Sequence, residues 1–504
     1  MAIVRTPQAL YTATQVRELD RRAIEDHGIG GYALMQRAGA AGFRLLRLRW
    51  PGARRIVVQC GGGNNGGDGL VIARLAREAG LEVAVGLARD PNELGGAAAQ
   101  AWSDWATAGG DAASLAAIDP AGVDVVVDAL LGTGLDRPVQ GPVAAAIARI
   151  NASGRPALAI DIPSGLEADT GAVLGDAVRA DATITFIGAK RGLYTGAAPD
   201  FTGPIFLDDL DVPATVFDDP GPVVRSLTAT EAVARLPWRH PAAHKGDAGH
   251  VLVIGGNHGF AGAARLAGET ALRAGAGLVT VATRAEHAPP MAAARPELMA
   301  RGVEDPAHEL PELAEGASAL AVGPGLGRDA WAQAVLAFAL EVRGIPRVVD
   351  ADALNLLARG THAAGLGPDD VVTPHPGEAG RLLHADTAAV QADRFAAVEG
   401  LRERLGCSVV LKGAGSLVAP ATGGVYLLPC ALGAMAVGGM GDVLTGAIAA
   451  LAAQGTAPAD AALCGAWLHA AAGARLARAH GGISVLPGDM AAAIAALRAY
   501  PRDA

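Results

Sequence analysis

Lysine is nearly missing from this chain: of 41 basic residues only Lys190, Lys245 and Lys412 are lysines, leaving 38 arginines. Arginine replaces lysine freely on a solvated surface but not where a compact ammonium must meet a phosphate or a carbonyl. The three lysines therefore mark candidate sites. Asparagine is scarce too, six in all, and Asn64, Asn65, Asn257 and Asn355 fall in glycine-rich or acidic motifs. The four cysteines, Cys60, Cys407, Cys430 and Cys464, form no C-x-x-C pair and no zinc-like spacing with histidine. That excludes a disulfide scaffold and predicts reduced thiols. A basic excess is lacking: the formal net charge is -10, which argues against a nucleic-acid partner, since binding a phosphate backbone needs clustered Lys and Arg. No apolar run reaches the ~18 residues of a membrane helix. The opening MAIVRTPQALYTATQ lacks the apolar core of a signal peptide, so the expected location is cytoplasmic, with no membrane partner. Aromatics make up only 4%, so the core must pack through small side chains, as Ala- and Gly-rich helices do on sheets.

What is present is enough chain for two cores, 504 residues, and a pattern of alternating strands and helices. RIVVQC, LEVAVGLA, VDVVVDALLG, PALAIDIPSG, ATITFIGA and GPIFLDDLDV read as buried parallel strands joined by crossover helices such as GLVIARLAREAG. Ahead of them TATQVRELDRRAIEDHGI reads as a helix capped by Thr12 or Thr14. Residues 213–225, rich in Pro and acidic side chains, read as a linker. HVLVIGG, GLVTVAT, SALAVGPGLG, PRVVDADAL, DVVTPHPGE and CSVVLKGAG then open a second α/β unit, with a helix from Gly262 to Ala274. The expected fold is α/β with two doubly wound domains, residues 1–217 and 226–504.

The run GGGNNGGDG, Gly61 to Gly69, follows a strand and opens a helix, so its amides offer an anion site. Gly61, Gly63 and Gly66 satisfy G-x-G-x-x-G, but the acidic residue of a nicotinamide dehydrogenase is absent from the end of the next strand. Asn64, Asn65 and Asp68 add polar groups that a plain dinucleotide turn does not need. Asp128, followed by GTGLDRP, and Asp161 in DIPSG end two more strands. Either alone reads equally well as a cap or a turn former; three such turns converge on one crevice.

Together GNNGGDG, VDALLGTGL, AIDIPSG and ITFIGAKRGL resemble the NAD(P)H-hydrate epimerase family over residues 10–212. The resemblance implies a Rossmann-like N-terminal domain that holds hydrated NADH or NADPH at Asn64, Asn65, Gly66, Gly67, Asp68, Gly132, Thr133, Gly134, Leu135, Asp136, Arg137, Pro138 and Asp161. It implies a potassium ion on Asn65, Asp128 and Ser164, oxygen ligands that suit a hard cation. Epimerising the hydrated carbon requires proton movement, hence a paired acid and base. Asp161 is the candidate base and Lys190 its charge support.

In the second half GGMGDVLTGAIAALAAQG places Gly438, Gly439 and Gly441 before a helix starting near Asp442. The glycines free amides to face an anion, and a carboxylate there is placed to take a hydroxyl proton during phosphoryl transfer. The plainer alternative is that Asp442 only caps its helix. The arrangement resembles the ribokinase-like small-molecule kinases. HKGDAGHVLVIGG, GAARLAGETALRAGAGLV, GPGLG, VVDADALNLL, VTPHPGE and LKGAGS narrow the resemblance to ADP-dependent NAD(P)H-hydrate dehydratases over residues 226–498. It implies substrate contacts at Ala263, Gly325, His375 and Asp442, adenine nucleotide at Lys412, Gly413, Ala414, Gly415, Ser416 and Gly441, Asp442 as the base, and magnesium placed by Glu378 through water. ADP would be the co-substrate and the chain a homo-oligomer. Leu432 stands where the family carries an Asn, and the expectation is that a backbone group or water replaces its hydrogen bond. The alternative is a vitamin or sugar kinase fused to a non-catalytic dinucleotide-binding module.

Overall fold

The run RIVVQC forms the buried strand Arg55–Cys60, and its neighbours are the expected parallel partners. The computed structural model describes residues 8–218, 224–360 and 365–498, and two compact units meet in sequence between Val224 and Arg225. In the first unit all strand pairs are parallel, in the order Ala113–Ser114, Glu82–Leu87, Arg55–Cys60, Val125–Ala129, Ala157–Ile160, Ala182–Phe186, Ile205–Asp208. The order reverses direction between Arg55–Cys60 and Val125–Ala129, and an open α/β sheet binds its ligands at such a switch point. The amphipathic N-terminal segment is the helix Ala13–Arg21, capped by Thr12, whose Oγ1 accepts from Gln15 N at 3.2 Å while Gln15 Oε1 accepts from Thr12 N at 2.9 Å. It runs on as a π-helical turn, Arg22–Asp26.

In the second unit the strands Met299–Gly302, Leu278–Thr283, His250–Ile254, Ala319–Val322, Arg347–Val349, Asp370–Val372 and Ser408–Leu411 are parallel in that spatial order. Ser408–Leu411 then pairs antiparallel with Ser416–Ala419, and that strand with Val425–Leu428, a hairpin absent from the sequence reading. The helix expected from Gly262 to Ala274 spans Ala261–Arg273. It lies so close to the buried helix Met440–Ala453 that a Cβ at Gly446 would stand 2.1 Å from Ala267 O, the close packing that a small-residue composition permits. Of the expected linker, Ala214–Phe217 forms one short turn, and residues 219–223 lie outside the described residues, as do residues 1–7 of the opening segment. Among the described residues no helix is long and apolar enough to cross a membrane. All four cysteines are free.

Candidate active sites

At the switch point of the first unit the glycine-rich loop and the turn after Val125–Ala129 are locked together. Gly61 N donates to Ala129 O at 2.9 Å. A Cβ at Gly66 would fall 2.0 Å from Gly61 O, so only glycine lets the loop fold back onto the start of the helix Asn64–Glu78. Beside the loop opens a cavity of about 990 Å3, lined by Asn64, Asn65, Asp68, residues 132–138, Asp161 and Lys190. Gly66 and Gly67 are buried behind it; Asp128 and Ser164, both 0% exposed, also lie outside its lining.

Lys190 is 1% exposed and its ammonium pairs with Asp161. It also donates to Thr185 Oγ1 at 2.9 Å and to Phe186 O at 3.3 Å. Asp161 sits at φ 68, left-handed backbone that a non-glycine residue seldom adopts. Asp68, close to Asp161, has its carboxyl pushed well above the ordinary range by burial and by the Asp161 and Asp20 charges. Asp20 joins this group although the sequence reading did not single it out: it lines the same cavity, and burial raises its carboxyl to about 6. Asp128 accepts from Ser164 Oγ at 2.6 Å, from Ser164 N at 2.8 Å and from Leu130 N at 3.2 Å, and burial raises it to about 6. Its role as a turn organiser is thus real, whatever else it holds. Asn65 Nδ2 donates to Leu131 O at 2.8 Å, while Asn65 Oδ1 is buried with no hydrogen-bond partner.

In the second unit, strands Arg347–Val349, Asp370–Val372 and Ser408–Leu411 deliver Asp350, His375 and Lys412 from their C-terminal ends to one cavity of about 380 Å3. Gly413, Gly438, Gly439, Gly441, Glu378 and Asp442 complete its wall. Lys412 Nζ donates to Asp350 Oδ1 at 2.7 Å and stands 3.9 Å from Glu378; Thr445 Oγ1 donates to Asp350 Oδ2 at 2.9 Å. Burial alone would lower the Lys412 ammonium, but Asp350 and Glu378 outweigh it and hold it above the ordinary lysine value. Gly439, at φ 101, occupies the N-cap position of Met440–Ala453 and no side chain caps this helix. Asp442 therefore does not serve as the cap. Burial, helped by Asp350 and opposed by Lys412, raises its carboxyl to about 7.

His375 caps the helix Pro376–Leu383: its Nδ1 accepts from Gly377 N at 3.0 Å, while Glu378 Oε2 accepts from His375 N at 2.8 Å. Burial lowers the His375 imidazole. Ala263, in the first turn of the helix Ala261–Arg273, and Gly325, just after the strand Ala319–Val322, are brought together, a Cβ on Gly325 standing 3.0 Å from that of Ala263, outside the Asp442 cavity. Ala414, Gly415 and Ser416 also lie outside its lining, in the turn that enters Ser416–Ala419. Leu432 precedes a short turn, Gly433–Met435, with no side-chain cap. Lys245 departs from the expectation drawn from lysine scarcity. It is exposed in the turn Lys245–Ala248 and lines neither cavity.

Two open α/β sheets, each bringing glycine turns and carboxylates to its strand ends, define an enzyme with two nucleotide-handling units. Residues 251–496 match the family model described as NAD(P)H-hydrate dehydratase, and residues 31–192 that described as YjeF-related protein N-terminus. The bifunctional NAD(P)H-hydrate repair enzyme of Coxiella burnetii is 46% identical over 483 residues, 95% of this chain and 97% of that protein. The one from Escherichia coli is 42% identical, over 97% of this chain and 93% of that protein. A solved ribokinase-like superfamily protein from Enterococcus faecalis is 29% identical at a TM-score of 0.51, over 55% of this chain and 96% of that one. The chain belongs to the bifunctional NAD(P)H-hydrate repair enzymes, with its epimerase in the first unit and its dehydratase in the second.

Proposed function

We propose that the first unit interconverts the R and S hydrates of NADH and NADPH at the Asp161–Lys190 cavity, and that the second dehydrates the S hydrate at the expense of ADP. The observation that carries the second half is the placement of Asp442: a half-neutral carboxyl at the start of a buried helix, beside a glycine turn and the Lys412–Asp350 pair. Asp442 takes the proton of the ring hydroxyl as its oxygen attacks the terminal phosphorus of ADP. The amides of Gly438, Gly439 and Gly441 receive the transferring phosphoryl group, and AMP leaves. Hydroxide is a poor leaving group and phosphate a better one, so phosphate then departs as a neighbouring ring proton is lost. The nucleotide lies along Lys412, Gly413, Ala414, Gly415 and Ser416, and the hydrate along Ala263, Gly325 and His375. Glu378, buried and 3.9 Å from Lys412, would hold magnesium through water, where the ion neutralises phosphate charge.

In the first unit Asp161 acts as base and Lys190 stabilises its charge, with Asn64–Asp68 and the 132–138 turn holding the dinucleotide. The unpartnered Asn65 Oδ1 and the buried Asp128 carboxylate, with Ser164, fit a potassium ion. Such an ion would neutralise the buried charge and fix the turn beneath the substrate. The free thiols and acidic balance support a cytoplasmic enzyme of small molecules, and the family resemblance supports a homo-oligomer.

The test is the near-ultraviolet absorbance of the reduced nicotinamide ring, followed on a mixture of both hydrate epimers with ADP, magnesium and potassium. Wild type restores it from both epimers, and Asp442→Asn restores neither while still equilibrating them. No recovery with either ADP or ATP would sink the dehydratase half, leaving a vitamin or sugar kinase to be screened. For the ion, potassium raises the thermal midpoint of wild type relative to a bulky organic cation, since a ligand that binds only the folded state stabilises it. Asn65→Ala removes the difference; an equal rise in the variant would exclude the ion from this place.

A further inference from the structure

The N-terminal helix Ala13–Arg21 is fastened over the epimerase cavity. Tyr11 N donates to Ala189 O at 2.8 Å and Arg191 N to Tyr11 O at 2.9 Å, so the segment before the helix is bridged to the backbone around Lys190. Ala13 N donates to Asp169 Oδ1 at 2.6 Å. Gly188 leaves room for the helix to lie down: a Cβ there would meet Tyr11 at 2.9 Å, Val16 at 3.1 Å and Leu19 at 3.2 Å. The face so directed inward carries Asp20 into the cavity that Asp68, Asp161 and Lys190 also line. The Asp20 carboxyl has no hydrogen-bond or ion-pair partner among the described residues. It stands at the point where the α-helix passes into a π-helical turn, a distortion found often at functional sites.

An unpaired carboxyl held in a cavity costs folding energy, and nothing in the packing of this helix requires one at this position. A hydrated nicotinamide bears its hydroxyl on a ring carbon bonded to the ring nitrogen. Inversion there needs one group to protonate the departing hydroxyl and another to accept a proton from the arriving water. Asp161, paired with Lys190, suits the second task in this direction, and the first falls to another group. We propose that Asp20 is the catalytic acid of the epimerase, acting on the hydroxyl of the hydrate while Asp161 serves the opposite face.

The Asp20 carboxyl gives its proton to the hydroxyl, the carbon–oxygen bond breaks, and water leaves. The lone pair of the ring nitrogen forms the carbon–nitrogen double bond. A second water adds to the other face and passes its proton to Asp161, restoring a neutral hydrate of inverted configuration. In the reverse direction the two carboxyls exchange roles. Burial, with the Asp161 charge beside it and Lys190 opposing, keeps a protonated Asp20 population up to about pH 6. The other groups facing the cavity are Asp68 from the helix Asn64–Glu78, Arg17 one turn back on the same helix as Asp20, and Arg89, Asp136 and Arg137 from the loops.

This rests on the epimerase reading of the first unit, so the experiment uses the full chain and wild type stands beside each variant. Purified R hydrate is incubated without nucleotide in water carrying heavy oxygen, and the R-to-S conversion and the label in the product are read by chromatography and mass spectrometry. Wild type is expected to convert the substrate with one solvent oxygen entering per inversion, and its kcat/KM to fall as pH rises through about 6. Asp20→Asn is expected to lose roughly 10²–10⁴-fold in kcat while still binding the hydrate in equilibrium dialysis, and Asp20→Glu to recover part of the rate. Recovery of reduced nicotinamide from S hydrate by the same sample with ADP reports an intact chain. Conversion by Asp20→Asn within a few-fold of wild type, or wild-type inversion without solvent oxygen, overturns the proposal. Failure of wild type to convert R hydrate at all would instead overturn the epimerase reading beneath it.

Discussion

Asp442 holds its proton up to about pH 7, because burial and the Asp350 charge outweigh the pull of Lys412. Two consequences of opposite sign follow. In its proposed role of base Asp442 must be ionised, so kcat/KM for S hydrate is expected to rise with pH below about 7 and level above it. The unfolded chain releases this proton near the ordinary value of 3.8. Between 3.8 and about 7 the folded state therefore binds more protons than the unfolded one, and the contribution of Asp442 to stability falls as pH rises through that window. Asp442→Asn removes the ionisation cost: it should lower dehydration by roughly 10²–10⁴-fold and yet raise the thermal midpoint over wild type above the window, with little difference below it. Melts on both sides of the window check this, and a variant less stable than wild type at the higher pH would contradict it. Asp442 and Asp161 were legible in the sequence because each stands in a local motif. Asp20 was not, because it stands in no such motif and the residues it shares the cavity with, Asp68, Asp161 and Lys190, lie far along the chain. Lys190 turned out to be a buried ion-pair member and Lys412 a partly buried one, whereas Lys245 is an ordinary surface side chain.

At the scale of elements, the buried strands were readable wherever an apolar run was uninterrupted, as in Val125–Ala129 and His250–Ile254. Met299–Gly302 was missed because it is a short, half-exposed edge containing Arg301 and Gly302. The hairpin of Ser416–Ala419 and Val425–Leu428 was missed because LKGAGS read as a binding turn and so hid the strand that starts within it. That turn is braced from behind by Arg394, which is 0% exposed and donates to the carbonyls of Leu411, Lys412 and Gly415 at 3.2–3.4 Å. The guanidinium fixes the path of this loop, the proposed nucleotide site, without lining the Asp442 cavity. Arg394→Met leaves those carbonyls without that donor, at a cost of about 1–3 kcal/mol. The expected kinetic signature is a KM for ADP raised several-fold more than the KM for S hydrate. Equal changes in both would mean that the loop does not carry the nucleotide.

At the scale of the whole molecule, each candidate site is lined by residues of one unit alone, the first between Val16 and Leu210 and the second between Asp350 and Asp442. Neither chemistry then requires a side chain of the other. If the dehydratase accepts one epimer, fusion to the epimerase keeps the other from accumulating, and the intermediate between them is a free hydrate. This makes complementation the decisive case. Asp161→Asn keeps dehydration and loses epimerisation, Asp442→Asn does the reverse, and each alone leaves hydrate behind when given both epimers with ADP and magnesium. An equal mixture of the two should restore the nicotinamide absorbance completely, because the S hydrate made by one chain diffuses to the other. Its rate should grow with protein concentration until dehydration limits it. If the mixture stalls where the separate variants stall, although each retains its own half-reaction, the hydrate does not pass freely between sites and the units are coupled in a way that independent cavities do not explain.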